Sequence, residues 1–212
     1  MNTRHYYQWG GKVLLYGVLF FFIYLMVLIT IQYIPIDYEA AFLALKQDEI
    51  QLTHYRVAFF THVYSSIFVL LLGAFQFSGI IRRHYSLIHK AFGKAYVALI
   101  LLFAAPSGLI MGYYGNGGFY AQAAFCLLSA LWFLFTLKAF LAIRARRIQV
   151  HQNFMILSYA LTLSAISLRL FKWLIANTLA LPPMDTYKIV VWLGWIFNLA
   201  VALLLIKAKQ RV

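Results

Sequence analysis

The sequence predicts an all-α, polytopic membrane bundle of six transmembrane helices with both termini cytoplasmic, and three observations carry that expectation. The first is composition: 64% of the 212 residues are hydrophobic and only 11% charged, with a mean hydropathy of +0.81. Soluble domains carry about a quarter charged residues and no such apolar excess, so soluble, disordered and collagenous chains are excluded. The second is segmentation. Six apolar stretches, 13–34, 57–81, 92–113, 119–143, 154–176 and 189–206, each approach the roughly 20 helical residues that cross a bilayer. The third is where the charges fall.

With both termini inside, the cytoplasmic segments and helix ends hold Arg4, Lys12, Arg82, Arg83, Lys90, Lys94, Lys138, Arg144, Arg146, Arg147, Lys207, Lys209 and Arg211, 13 of the 18 basic residues. Lys46, Arg56, Arg169, Lys172 and Lys188 fall on the outer side, with all five acids, Asp37, Glu39, Asp48, Glu49 and Asp185. The positive-inside rule counts Lys and Arg and favours this orientation. The net charge of +13 is thereby a topological signal, and no nucleic acid is needed to explain it. The partner implied is the lipid bilayer, with the cytoplasmic membrane of a bacterium as the expected location.

Each element has its own reason. The first stretch is too long in its apolar core for a cleaved signal peptide, and no small-x-small site follows it. Residues 35–56 form an outer loop whose 40–44 and 50–52 segments suit the membrane surface. Gly115-Asn116-Gly117-Gly118 offers the left-handed backbone of a tight hairpin, and Pro182-Pro183 breaks the last outer loop. Cys126 is the single cysteine, so no internal disulfide or CxxC site forms. The chain reads as one transmembrane domain, 1–212, with flanking helices at 13–34 and 189–206.

In such a chain the informative residues are those that are costly to insert. An ionisable group at the bilayer centre costs at least about 2.5–3.5 kcal/mol and tends to face a partner or cavity. The candidates are His62, Gln76, His89, His151, Arg169 and Lys172. At about 100° per residue, Gly73 and Gln76 share the face of His62. Gly93, Tyr96 and Ser107 share that of His89. His151, Met155, Ser158, Thr162 and Arg169 form one string along the fifth span.

Depth divides the set. His89 and His151 sit at cytoplasmic helix starts and define an inner site. His62 and Arg169 lie within about two turns of the outer surface and define an outer one. Bis-histidine haem b ligation by His89 and His151 is one reading of the inner pair, with Gly93 leaving room for a porphyrin plane; interfacial histidines that merely cap helices are the other. A metal site of His84, His89 and His151 is a third, opposed by the roughly 140° between His84 and His89 on one helix. Arg169 either meets an anionic ligand or quinone, with His62 as proton carrier or hydrogen-bond donor, or snorkels to headgroups. For Lys172 the snorkelling reading is favoured. Gln76 also serves as interhelical glue.

The order His62, Gly73-Ala74-Phe75-Gln76-Phe77, Arg82-Arg83, His89-x-x-x-Gly93-x-x-Tyr96 and His151-Gln152-Asn153-Phe154-Met155, followed by Tyr159 and Arg169, resembles a "domain of unknown function" family of bacterial predicted integral membrane proteins. The resemblance covers residues 57–175. It implies a helical membrane domain with His62, His89, His151 and Arg169 as signature polar positions, and no established activity. This chain departs from the family's commoner form at Gln152, where a basic residue is expected. A core of four helices with inward histidines is similar, at fold level, to membrane b-type cytochromes.

Two function classes follow. One is a small b-type cytochrome or redox-linked membrane protein with His89 and His151 as axial ligands. The other is a non-enzymatic membrane subunit, an accessory or transport component of a larger complex without cofactor. An intramembrane hydrolase ranks last, because no acid lies inside the membrane to act as base.

Overall fold

The computed structural model describes residues 3–210, with the side chains of residues 3–9 and of Lys12 outside the described set. The side chains of Arg4 and Lys12, and Arg211 altogether, which contribute to the positive-inside tally, therefore lie outside the described set. The described chain is all-helical: α1 (Thr3–Ile31), α2 (Gln47–Ile50), α3 (Thr53–Gln76), α4 (Gly79–His84), α5 (Ser86–Leu99), α6 (Ala105–Tyr113), α7 (Gly118–Arg144), α8 (Ile148–Thr162), α9 (Ser164–Thr178) and α10 (Pro183–Gln210). A 3₁₀ turn, Ala41–Leu45, precedes α2, and a π turn, Ile100–Ala104, joins α5 to α6. Five segments are long and apolar enough to cross a membrane, α5 to α6 counting as one, and the pair α8–α9 makes a sixth if its 42° bend is one broken span.

Two breaks alter the straight-helix reading. Pro106 has no N–H to give to the preceding turn, and just before it the Ala105 N–H reaches back five residues to the Ile100 carbonyl. The extra residue in that turn rotates everything beyond it by roughly 100°. Gly108, and not Ser107, therefore meets the His62 ring, and Ser107 spends its hydroxyl on the Phe103 and Ala104 carbonyls of its own helix. The second break falls at Leu163. Thr162 Oγ1 donates to the Ser158 carbonyl (3.1 Å) and Ser164 Oγ to that of Leu161 (2.6 Å). Hydroxyls that back-bond in this way bend helices. His151 and Arg169 consequently belong to two helices at an angle, not to one straight face.

The second span starts at Thr53, not at 57, and ends at Gln76. Ser78 then caps α4 by accepting the Ile81 N–H. His84 and His89 accordingly lie on separate helices. The glycine hairpin forms as expected, with Gly117 and Gly118 at φ of 91° and 71°. The core runs through α3, α5 and the π turn, α7, α8 and α10 around Val69, Tyr96, Ile100, Ala104, Trp132 and Tyr159. By contrast, α1 buries only Ile23 and Met26 among its described side chains.

The loop between α1 and α3 is latched to the bundle. Lys46 is 1% exposed, and its ammonium donates to Glu49 Oε1 (2.5 Å) and to the Tyr114 carbonyl at the end of α6 (2.5 Å). Partial burial pushes the Glu49 carboxyl up, but the hydrogen bond and charge of Lys46 outweigh this and hold it below the usual carboxylate value. A depressed folded pKa contributes stability that is present above the unfolded value, 4.5, and is lost as pH falls through the lower folded one. Thermal melts in detergent should therefore show a loss of stability on acidification that is absent in Glu49→Gln. Equal acid sensitivity in the two proteins would remove the latch.

Candidate functional site

The bundle has two distinguishable ends. One carries Arg82, Arg83, Lys90, Lys138, Arg144 and Lys209 and is called the basic end. The other carries the Lys46 latch and the Gly117 hairpin, which packs near Tyr187, and is called the loop end. Polar side chains occur at the basic end, in the middle, and toward the loop end.

At the basic end, His89 and His151 are each the fourth residue of their helix. They lie within electrostatic range of each other, with Arg82 also near. His151 Nδ1 is 2.9 Å from the Ala139 carbonyl. A carbonyl only accepts, so Nδ1 carries the proton and donates it, which leaves the Nε2 lone pair free. His89 Nδ1 is buried without a partner. No Cα–Cα approach within 8 Å occurs between α5 and α8 among the described residues. Gln76 packs against α5: Nε2 donates to the His89 carbonyl (3.3 Å), and Oε1 occupies the notch at Gly93, 3.2 Å from where a Cβ would stand. The notch expected to be open thus holds a carboxamide. Gln152 hydrogen-bonds Lys209 of α10, so an ammonium reaches that position from another helix.

The middle layer is a closed polar network. Trp132 Nε1–H donates to Thr162 Oγ1 (3.1 Å); Tyr96 Oη bonds both Thr162 Oγ1 (3.0 Å) and Ser158 Oγ (2.9 Å); Thr136 Oγ1 bonds Ser158 Oγ (2.8 Å). Thr162 donates to the Ser158 carbonyl, so its two lone pairs take Trp132 and Tyr96. Every hydroxyl then has a partner. The network ties α5, α7 and α8 together, with Tyr96 spanning the gap. Trp132 and Thr136 are not among the residues the sequence marks as a site.

Toward the loop end, His62 Nδ1–H donates to the Ala104 carbonyl in the π turn (2.8 Å), and its ring stands edge-on to Trp132 at 6.4 Å. Gly108 makes this seat: a Cβ there would lie 2.9 Å from His62 Cε1. Arg169 lies within electrostatic range of His62 and Tyr33. Its Nη1 donates to the Ala165 carbonyl of its own helix (2.8 Å). The residue is exposed. Lys172 forms no hydrogen bond to another helix among the described contacts.

Among the described residues no group of three His, Cys, Asp or Glu side chains could hold a metal ion. A three-histidine site with His84 is therefore not formed.

Fold and polar layers together define a helical integral membrane protein with half-buried histidines at two depths. The family model described as "Predicted membrane protein (DUF2306)" matches residues 59–206. The chain belongs to that family, and the match runs past the expected core to include α10. No curated protein and no solved structure matches it significantly.

Proposed function

We propose that this chain is a redox-linked membrane protein in which His89 and His151 would hold haem b between α5 and α8, with the basic end facing the cytoplasm of a bacterial cell. The observation that carries the reading is the His151 hydrogen bond to the Ala139 carbonyl. A second-shell acceptor of this kind fixes the tautomer, orients the ring and raises the basicity of the free nitrogen, as in ligating histidines generally. The unpartnered, buried Nδ1 of His89 and the backbone separation of α5 and α8 fit the same donor set.

Haem would supply one-electron transfer there. The protein's share is to hold two imidazoles, to exclude water with Tyr159 and Phe77, whose rings pack at 5.2 Å, and to place Arg82 and Lys209 near the site. Gln76, seated in the Gly93 notch and bonded to the His89 carbonyl, lies against the same space.

Purification in detergent after expression with ample haem tests this. The expected result is a Soret band that is lost in His89→Ala and in His151→Ala, with the variants still monodisperse. A colourless wild-type protein, or a band indifferent to both changes, contradicts it. In that event the non-enzymatic subunit of a larger assembly is what stands.

A further inference from the structure

We infer that the groove where the first turn of α3 meets the last turn of α6 binds the oxidised head of a membrane quinone. It lies at the loop end and is independent of the haem reading. The groove has a volume of about 300 Å³ and is lined by His54, Leu109, Ile110, Tyr113 and Tyr114. That is the small end of the range for pockets that hold a cofactor. Its polarity follows from the helix period. Leu109 and Tyr113, like Ile110 and Tyr114, are four residues apart, so one face of α6 carries all four. Tyr113 ends α6 and Tyr114 caps it, at the end of a membrane-spanning segment. Leu109 and Ile110 lie about 6 Å deeper. The groove thus has a polar rim and an apolar floor, the order of polarity in an amphiphile.

The rim is held in place. The Tyr114 carbonyl accepts the Lys46 ammonium, and its ring packs on those of Tyr55 (5.5 Å) and Tyr113 (5.2 Å). Its hydroxyl lies 2.7 Å from His54 Nε2. Hydrogen bonding then selects the ligand. The neutral Tyr114–His54 pair has two protons and uses one between its members, so one donor is left whichever tautomer the ring takes. The Tyr113 hydroxyl, which forms no hydrogen bond among the described residues, is a second. No Lys, Arg, Asp or Glu lines the groove, and the Lys46 charge is already met by Glu49. A phosphate or carboxylate head therefore finds no counter-charge. A quinone matches on each count: it is neutral, its two carbonyls only accept, and its flat ring suits aromatic neighbours. Its apolar tail continues over Leu109 and Ile110 into the acyl region. A glycerol-ester head has no flat ring to set against the tyrosines.

Isothermal titration of the full-length protein in non-ionic detergent with decylubiquinone tests this, with dioctanoylglycerol and dioctanoyl phosphatidylglycerol as competitors. The expected result is saturable quinone binding that neither lipid displaces. Leu109→Trp, which fills the floor, should abolish it, whereas Leu203→Trp, at an exposed position of α10, should leave it unchanged. Tyr113→Phe should weaken it by roughly threefold to tenfold, the worth of one neutral hydrogen bond. Leu109 and Tyr113 are 45% and 67% exposed, so neither substitution reaches the core. No saturable binding, displacement by either lipid, or equal affinity in wild type and Leu109→Trp overturns the proposal. If Leu109→Trp is not monodisperse, unchanged affinity in a protein carrying both His54→Phe and Tyr113→Phe overturns it equally. His89→Ala should lose haem and keep the quinone affinity, so this site and the His89–His151 site fail separately.

Discussion

Replacing Gly73 by alanine is expected to destabilise the protein by about 3 kcal/mol, at the upper end of overpacking costs. A Cβ at that position would lie 2.2 and 2.4 Å from two carbons of the Tyr159 ring and 3.0 Å from Tyr96 Cε2. Tyr159 cannot easily yield. Its hydroxyl donates to the Leu70 carbonyl (3.3 Å), and its other side packs on Phe77. Relief therefore requires α3 and α8 to part, which also disturbs Tyr96 and the polar layer it anchors. Gly17, on α1, is the control: nothing lies within 4 Å of a Cβ there, and alanine should be neutral or slightly stabilising by helix propensity. Thermal melts of the two variants in detergent measure the contrast, and a Gly73→Ala protein as stable as Gly17→Ala would sink the packing argument.

The second large effect is expected from Thr162→Val, which keeps the shape and removes one hydroxyl. Tyr96 can turn its proton to Ser158, but Trp132 Nε1 loses its acceptor and has no other partner among the described contacts. The cost should be roughly 1–2 kcal/mol, since interhelical hydrogen bonds in membrane proteins contribute less than vacuum values suggest, whereas an orphaned buried donor costs more. Thr162→Ser should restore nearly all of it. The indole fluorescence of Trp132 should shift in the valine variant and not in the serine one. A valine variant with wild-type stability would mean that the middle layer is not closed as described.

Spans and signature residues were legible in the sequence because hydrophobicity and the period of a helix are local properties. Gly73, Gln76 and Tyr96 are buried, and Gly93 is half-buried against Gln76. What the spacing could not give is azimuth beyond a break. The π turn before Pro106 moved Gly108 to His62, and the bend at Leu163 separated Arg169 from the line of His151. Both breaks had signals, a proline within an apolar span and the hydroxyl pair Thr162 and Ser164, yet neither fixes the angle. The acceptors that set the histidine tautomers, the carbonyls of Ala104 and Ala139, are main-chain atoms and have no sequence signature. Lys46 looked like one more loop charge; only the fold brings the Tyr114 carbonyl to it. The position of Gln76 in the Gly93 notch depends on how closely α3 and α5 approach.

Electron paramagnetic resonance of the oxidised, detergent-purified protein tests the central claim most directly, because it reports the axial ligands of bound haem. Low-spin signals of bis-imidazole ligation in the wild type, turning high-spin or vanishing in His151→Ala, are what the His89–His151 pair predicts. A wild-type protein with no haem signal, or one whose low-spin signal survives loss of His151, would contradict it.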